Sequence, residues 1–178
     1  MDTLKGIAVF LMIPLFATIG LLLIAGGGDG EFTGTSIARV EQPKDLVFEW
    51  LGQPDLRERW VEGLSESKGS GARDVEVGQK MTETVGLGAD QRRVTVEVLE
   101  AEYGEQLTLR FTEPGRTMDV SYKLSPNQSA KRTRVDVTVT GKLDGWWPRL
   151  IEPILAGRIT THLDDDLVRL DERMRGTR

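Results

Sequence analysis

Three features of the sequence predict an α+β domain, an antiparallel sheet covered on one face by a long C-terminal helix, preceded by one transmembrane helix. Residues 6–28 carry no charged side chain. Five runs between Met81 and Val139 alternate apolar with polar residues, and from about Pro148 to Arg175 apolar residues recur every three or four positions.

The segment Gly6 to Gly28, GIAVFLMIPLFATIGLLLIAGGG, contains twelve Leu, Ile, Val or Phe residues. At roughly 0.3–0.6 kcal/mol each they favour insertion by about 4–7 kcal/mol, with no ionic cost against them. The length fits the ~20 apolar residues that cross a bilayer and exceeds the roughly 7–15 of a cleavable signal's apolar region. The small-residue exit at Ala25–Gly28 leaves cleavage there as the alternative. Lys5 before the span, with Asp29 and Glu31 after it, favours an internal amino terminus and an extracytoplasmic domain. The chain is therefore expected to be a single-pass membrane protein anchored at its N-terminus. Residues 1–28 hold the anchor, 29–31 form a flexible linker, and 32–178 make one domain.

Composition excludes several classes. With 28 acidic and 23 basic residues the net charge is −5, which repels nucleic acid. The absence of cysteine rules out disulfides, thiolate metal sites and cysteine nucleophiles. The single histidine, His162, has no G-x-S-x-G elbow to serve, and no P-loop or dinucleotide fingerprint is present. No cofactor and no metal are expected.

Phe32 to Val40 reads as a short strand. Pro43 then opens a helix bearing Leu46, Val47, Trp50 and Leu51, which Gly52 stops. Pro54–Asp55 opens a second, carrying Leu56, Trp60, Val61 and Leu64, followed by a flexible Gly- and Ser-rich passage from Ser65 to Gly78. From there the period is two. Met81, Glu83, Val85 and Leu87 share a face, as do Val94, Val96 and Val98; Leu107, Leu109 and Phe111; Met118, Val120, Tyr122 and Leu124; and Val135, Val137 and Val139. Residues 86–90, Gly104–Glu105, Pro114–Gly115 and Ser125–Asn127 supply the hairpin turns. Ile151, Leu155, Ile159, Leu163, Leu167, Leu170 and Met174 form the apolar stripe of the last helix. Asp164–Asp166 read as its solvated face, with Asp165 and Asp166 in reach of Arg169, and Asp171 in reach of Arg175.

A strand, two short helices, a meander of about six strands and one long helix, in that order, resemble the SRPBCC superfamily, which includes START lipid-transfer domains and the polyketide cyclase/dehydrase group. The residues that carry the likeness are Pro43–Leu51, Pro54–Trp60, Val77–Gly78 and the terminal helix. The resemblance covers 32–178 and implies a helix-grip fold, in which a curved sheet and its helix enclose a cavity for a hydrophobic small molecule. Trp60, Met81, Glu83, Val96, Leu109, Phe111, Met118, Val120, Tyr122, Val137, Ile159 and Leu163 are the candidate lining.

Polar groups that break the apolar phase are the sharper clues. Alternation aims Glu83 inward, where loss of water disfavours the charged form and makes it a candidate acid, base or ligand anchor. Tyr122 points the same way, and its hydroxyl needs a partner. Glu83, Tyr122 and His162 are the catalytic candidates. Trp146 and Trp147 are candidates for the membrane interface. The expected function is a membrane-tethered binder or carrier of a lipid, isoprenoid, quinone or polyketide-like molecule, with the bilayer as partner through residues 6–28. The alternatives are a cyclase or dehydratase using the same cavity, or an accessory subunit docked to other membrane-complex subunits.

Overall fold

A computed structural model describes residues 31–69, 75–86, 88–127, 129–143 and 147–176, with backbone alone at 88, 127, 129–130, 143 and 147–160. The expected anchor at 6–28, linker residues 29–30 and Trp146 lie outside the described residues, as do the side chains of Trp147 and Ile159. Among the described residues no helix is long and apolar enough to cross a membrane.

Strand β1 spans Glu31–Val40 and is followed by helices α1 (Lys44–Gly52) and α2 (Pro54–Arg57). The strands β2 (Leu64–Gly69), β3 (Lys80–Val85), β4 (Arg92–Glu102), β5 (Gln106–Glu113), β6 (Arg116–Asn127) and β7 (Ser129–Leu143) then lead to helix α3 (Trp147–Arg175). They form one seven-stranded sheet in the order β1-β7-β6-β5-β4-β3-β2, and every neighbouring pair is antiparallel. Consecutive hairpins give the meander, and β1 closes it by pairing with β7. Register shifts at Leu64/Glu66 and Val98/Glu100 mark bulges, which bend a strand and sharpen its twist, so the sheet curves.

Glu31, expected in the linker, opens β1 opposite Lys142, and two further boundaries differ from the sequence expectation. The second helix ends at Arg57 rather than running on to Leu64, and Leu64 instead opens β2, inside what read as a flexible passage. In Leu64–Gly69 only Leu64 is buried, so an edge strand with polar side chains on both faces offers no period-two signal. Ser125–Asn127, expected as a turn, belongs to β6, where Pro126 lies opposite Thr133.

One core joins the inner faces of sheet and helices, including Val47, Phe48, Leu51, Val96, Leu107, Leu109, Val137, Leu167 and Leu170. From β1 and the two residues after it, the Ser36 hydroxyl donates to Asp164, the Glu41 backbone N–H donates to Asp171 Oδ1 at 2.9 Å, and Gln42 Nε2 donates to the Met174 carbonyl at 3.2 Å. These bonds fix the C-terminal half of α3 and hold Leu167, Leu170 and Met174 over the sheet.

Gly141 faces Phe32 across the β1–β7 ladder, and a Cβ built there would lie within 2.2–2.9 Å of three atoms of the Phe32 ring. The ring lies on the strand where a side chain would otherwise stand. Gly141→Val is expected to displace the ring and cost about 1–3 kcal/mol, read as a lowered midpoint in urea unfolding, whereas Thr140→Val on the exposed face should move it little.

Candidate functional site

A cavity of about 170 Å³ opens between α3 and the inner face of the sheet. It occupies the end of that face nearest the β3–β4 and β5–β6 connections, and its wall changes character along the strands. At the solvent end stand Arg92, Glu113 and Arg116; next comes an apolar belt of Val85, Val94, Phe111, Met118, Val120 and Leu163; at the closed end lie Arg57, Trp60, Glu83, Tyr122 and Asp166. Period-two geometry produces the gradient, because Arg116, Met118, Val120 and Tyr122 are successive inward positions of one strand.

The closed end is built on a buried ion pair. Arg57 is 2% exposed and Glu83 1%. Arg57 Nε donates to Glu83 Oε1 at 2.6 Å, Nη2 donates to Oε2 at 3.3 Å, and Nη1 donates to the Leu51 carbonyl at 3.0 Å. This fork takes up both carboxylate oxygens. The guanidinium carbon also lies 5.8 Å from the centre of the Trp60 ring and 5.5 Å from that of Phe111, within cation–π range. Trp60 is fixed in turn by its indole N–H, which donates to the Trp50 carbonyl at 2.9 Å. Burial opposes the charge on Arg57, but the neighbouring Glu83 carboxylate outweighs it and leaves the guanidinium pKa above its usual value.

Tyr122 stands beside this pair and is buried. Burial drives its hydroxyl pKa above the usual range, against the opposing pull of Arg57. Asp166 comes from α3 and closes the cavity from the helix side. Burial raises its pKa, opposed by the Glu62 N–H that it accepts at 2.9 Å and by Arg169. Arg169 Nη1 bonds Asp166 at 2.6 Å and the Trp60 carbonyl at 3.1 Å, so one side chain binds α3 to the segment following α2.

Of the expected lining, Trp60, Glu83, Phe111, Met118, Val120, Tyr122 and Leu163 face the cavity. Met81, Val96, Leu109 and Val137 do not; they are 0–2% exposed in the packed core. They have the right phase, but they sit further along their strands, away from the open end. His162 is exposed and off the cavity wall, so the three catalytic candidates do not converge. Asp166, by contrast, read as solvated, yet it stands three residues from Leu163 and four from Leu170, on the flank of the inward stripe. Arg57 was also missed, although it is three residues from Trp60 and four from Val61, and an inward Glu83 demands a cation. Among the described residues no acidic or imidazole side chains gather as a metal set.

The model of the family described as polyketide cyclase / dehydrase and lipid transport matches residues 32–175. The chain belongs to this family. Its fold recurs in solved structures of low sequence identity. A protein from Thermus thermophilus superposes with a TM-score of 0.66 at 13% identity, covering 82% of this chain and 98% of that one. Ara h 8.0201 gives 0.64 at 10%, covering 80% and 97%. A Thalictrum flavum norcoclaurine synthase point mutant, in complex with a transition-state analogue, gives 0.58 at 12%, covering 82% and 96%. No curated protein matches the sequence. The helix-grip architecture expected from the order of elements is therefore the observed one, and the family supports a domain that binds hydrophobic small molecules.

Proposed function

We propose that this chain is a membrane-tethered binder or carrier of a hydrophobic small molecule of lipid, isoprenoid, quinone or polyketide-like type. The observation that carries this reading is the apolar belt of the cavity, Val85, Val94, Phe111, Met118, Val120 and Leu163. Such a wall gains free energy when an apolar group replaces water against it. At about 170 Å³ the cavity is near the ~150 Å³ that accepts one aromatic ring. A longer ligand therefore places one end in the cavity and the rest towards its mouth.

The polar groups favour binding over acid–base turnover. Glu83 has both oxygens engaged by Arg57, Tyr122 holds its proton more tightly than a free phenol, and His162 is exposed and off the cavity wall. The uncharged segment 6–28 would keep the cavity beside the phase in which such a ligand dissolves.

Membranes carrying the full chain are expected to retain it through an alkaline carbonate wash. Organic extraction of the natively purified protein should then release an apolar compound detectable by mass spectrometry. A chain washed off the membrane overturns the tether, and an empty extract overturns the carrier.

A further inference from the structure

We infer that the ligand is an amphiphile with a carboxylate head, which the cavity mouth holds between Arg92 and Arg116. The inference rests on the carrier reading and adds the class of ligand. Arg92 Nε contacts Glu113 Oε2 at 2.8 Å, and Arg116 pairs with the other oxygen of the same carboxylate. Two guanidinium groups thus share one anion. Deeper in the wall Arg57 is matched by Glu83, and Asp166 shares Arg169 with Glu62. The mouth carries a local excess of one positive charge, two guanidinium groups against one carboxylate.

Position makes that charge usable by a ligand. Arg92 keeps 53% and Arg116 26% of its side-chain surface exposed, while Glu113 keeps 12%. The carboxylate is therefore tucked behind two arginines whose side chains keep part of their surface in solvent. A guanidinium presents its donors as a planar fork, which matches a carboxylate in two parallel bonds. Directly inside stand Val94, Phe111 and Met118, which suit an apolar body attached to that head. The floor asks for no further charge, since Arg57 and Glu83 satisfy each other.

The test is calorimetric titration of the full chain in phosphatidylcholine nanodiscs, against empty nanodiscs, with 4-ethylbenzoate and its neutral counterpart 4-ethylbenzyl alcohol. Charge-assisted hydrogen bonds at the mouth should favour the benzoate by at least roughly tenfold. Arg116→Gln, and independently the more exposed Arg92→Gln, should each shrink that ratio towards one, and rising salt should shrink it in the unsubstituted chain. Equal binding of both probes, or a preference that survives both substitutions, overturns the carboxylate assignment and leaves the carrier reading standing. If neither probe binds, the cavity reading itself falls, and this inference with it.

Discussion

Replacing Glu83 by alanine is expected to cost about 3–5 kcal/mol of stability, the range seen when one partner of a buried ion pair is removed. The reason is the orphan left behind rather than the attraction lost. Arg57 is 2% exposed, and without Glu83 it keeps the Leu51 carbonyl at 3.0 Å and the Tyr122 hydroxyl, neither of which carries a countercharge, so an uncompensated guanidinium would stay in the core. In a domain of this size the thermal midpoint should fall by roughly 10–15 °C. The double variant Arg57→Met/Glu83→Leu discriminates between the two causes, because an apolar replacement of similar volume is often neutral or stabilising. It should recover most of the loss. Circular dichroism melts of the full chain, its single variants and the double variant check this; a double variant as unstable as Glu83→Ala would mean that the pair's attraction, not the orphaned charge, governs the effect.

That pair also marks where the sequence was legible and where it was not. The sheet, its alternation and the final helix could be read because each repeats one geometric rule over many residues: Val135, Val137 and Val139 can face only one way together. The inward aim of Glu83 followed from the same rule. Its partner did not, because Arg57 ends a four-residue helix, and its three- and four-residue spacing to Trp60 and Val61 runs past the end of that helix. The edge strand β2 escaped for a related reason, since only Leu64 among its residues is buried. Along each strand, phase separates inside from outside but does not say how far in. Met81 and Glu83 are both inward, yet one joins the packed core and the other borders the cavity, and that difference depends on which part of α3 and which hairpin end lie opposite. The charged mouth was invisible for the same reason. Glu113 and Arg116 meet across the Pro114–Gly115 turn, but Arg92 comes from β4, and only the β4–β5 pairing brings it to the same carboxylate.

Filling the cavity separates a hollow interior from a packed one. Leu163 projects from α3 onto the cavity wall and is only partly buried, so Leu163→Trp adds an aromatic ring where about 170 Å³ is open. In a close-packed core an enlargement of that kind costs roughly 1–3 kcal/mol through displaced neighbours. Here the added ring should occupy space already present and cover Val94 and Phe111, so the change in stability is expected to stay within about 1 kcal/mol while new apolar surface is buried. Ligand capacity should collapse, because the space that accepts one ring is then taken by the protein's own. Organic extracts of the variant should lack the compound released by the unsubstituted chain, or hold less than about a hundredth of it, in line with the loss of an apolar contact worth a few kcal/mol. A variant that unfolds some 10 °C earlier would reveal a core with no room to spare. One that keeps both its stability and its bound compound would mean that the ligand lies outside the cavity.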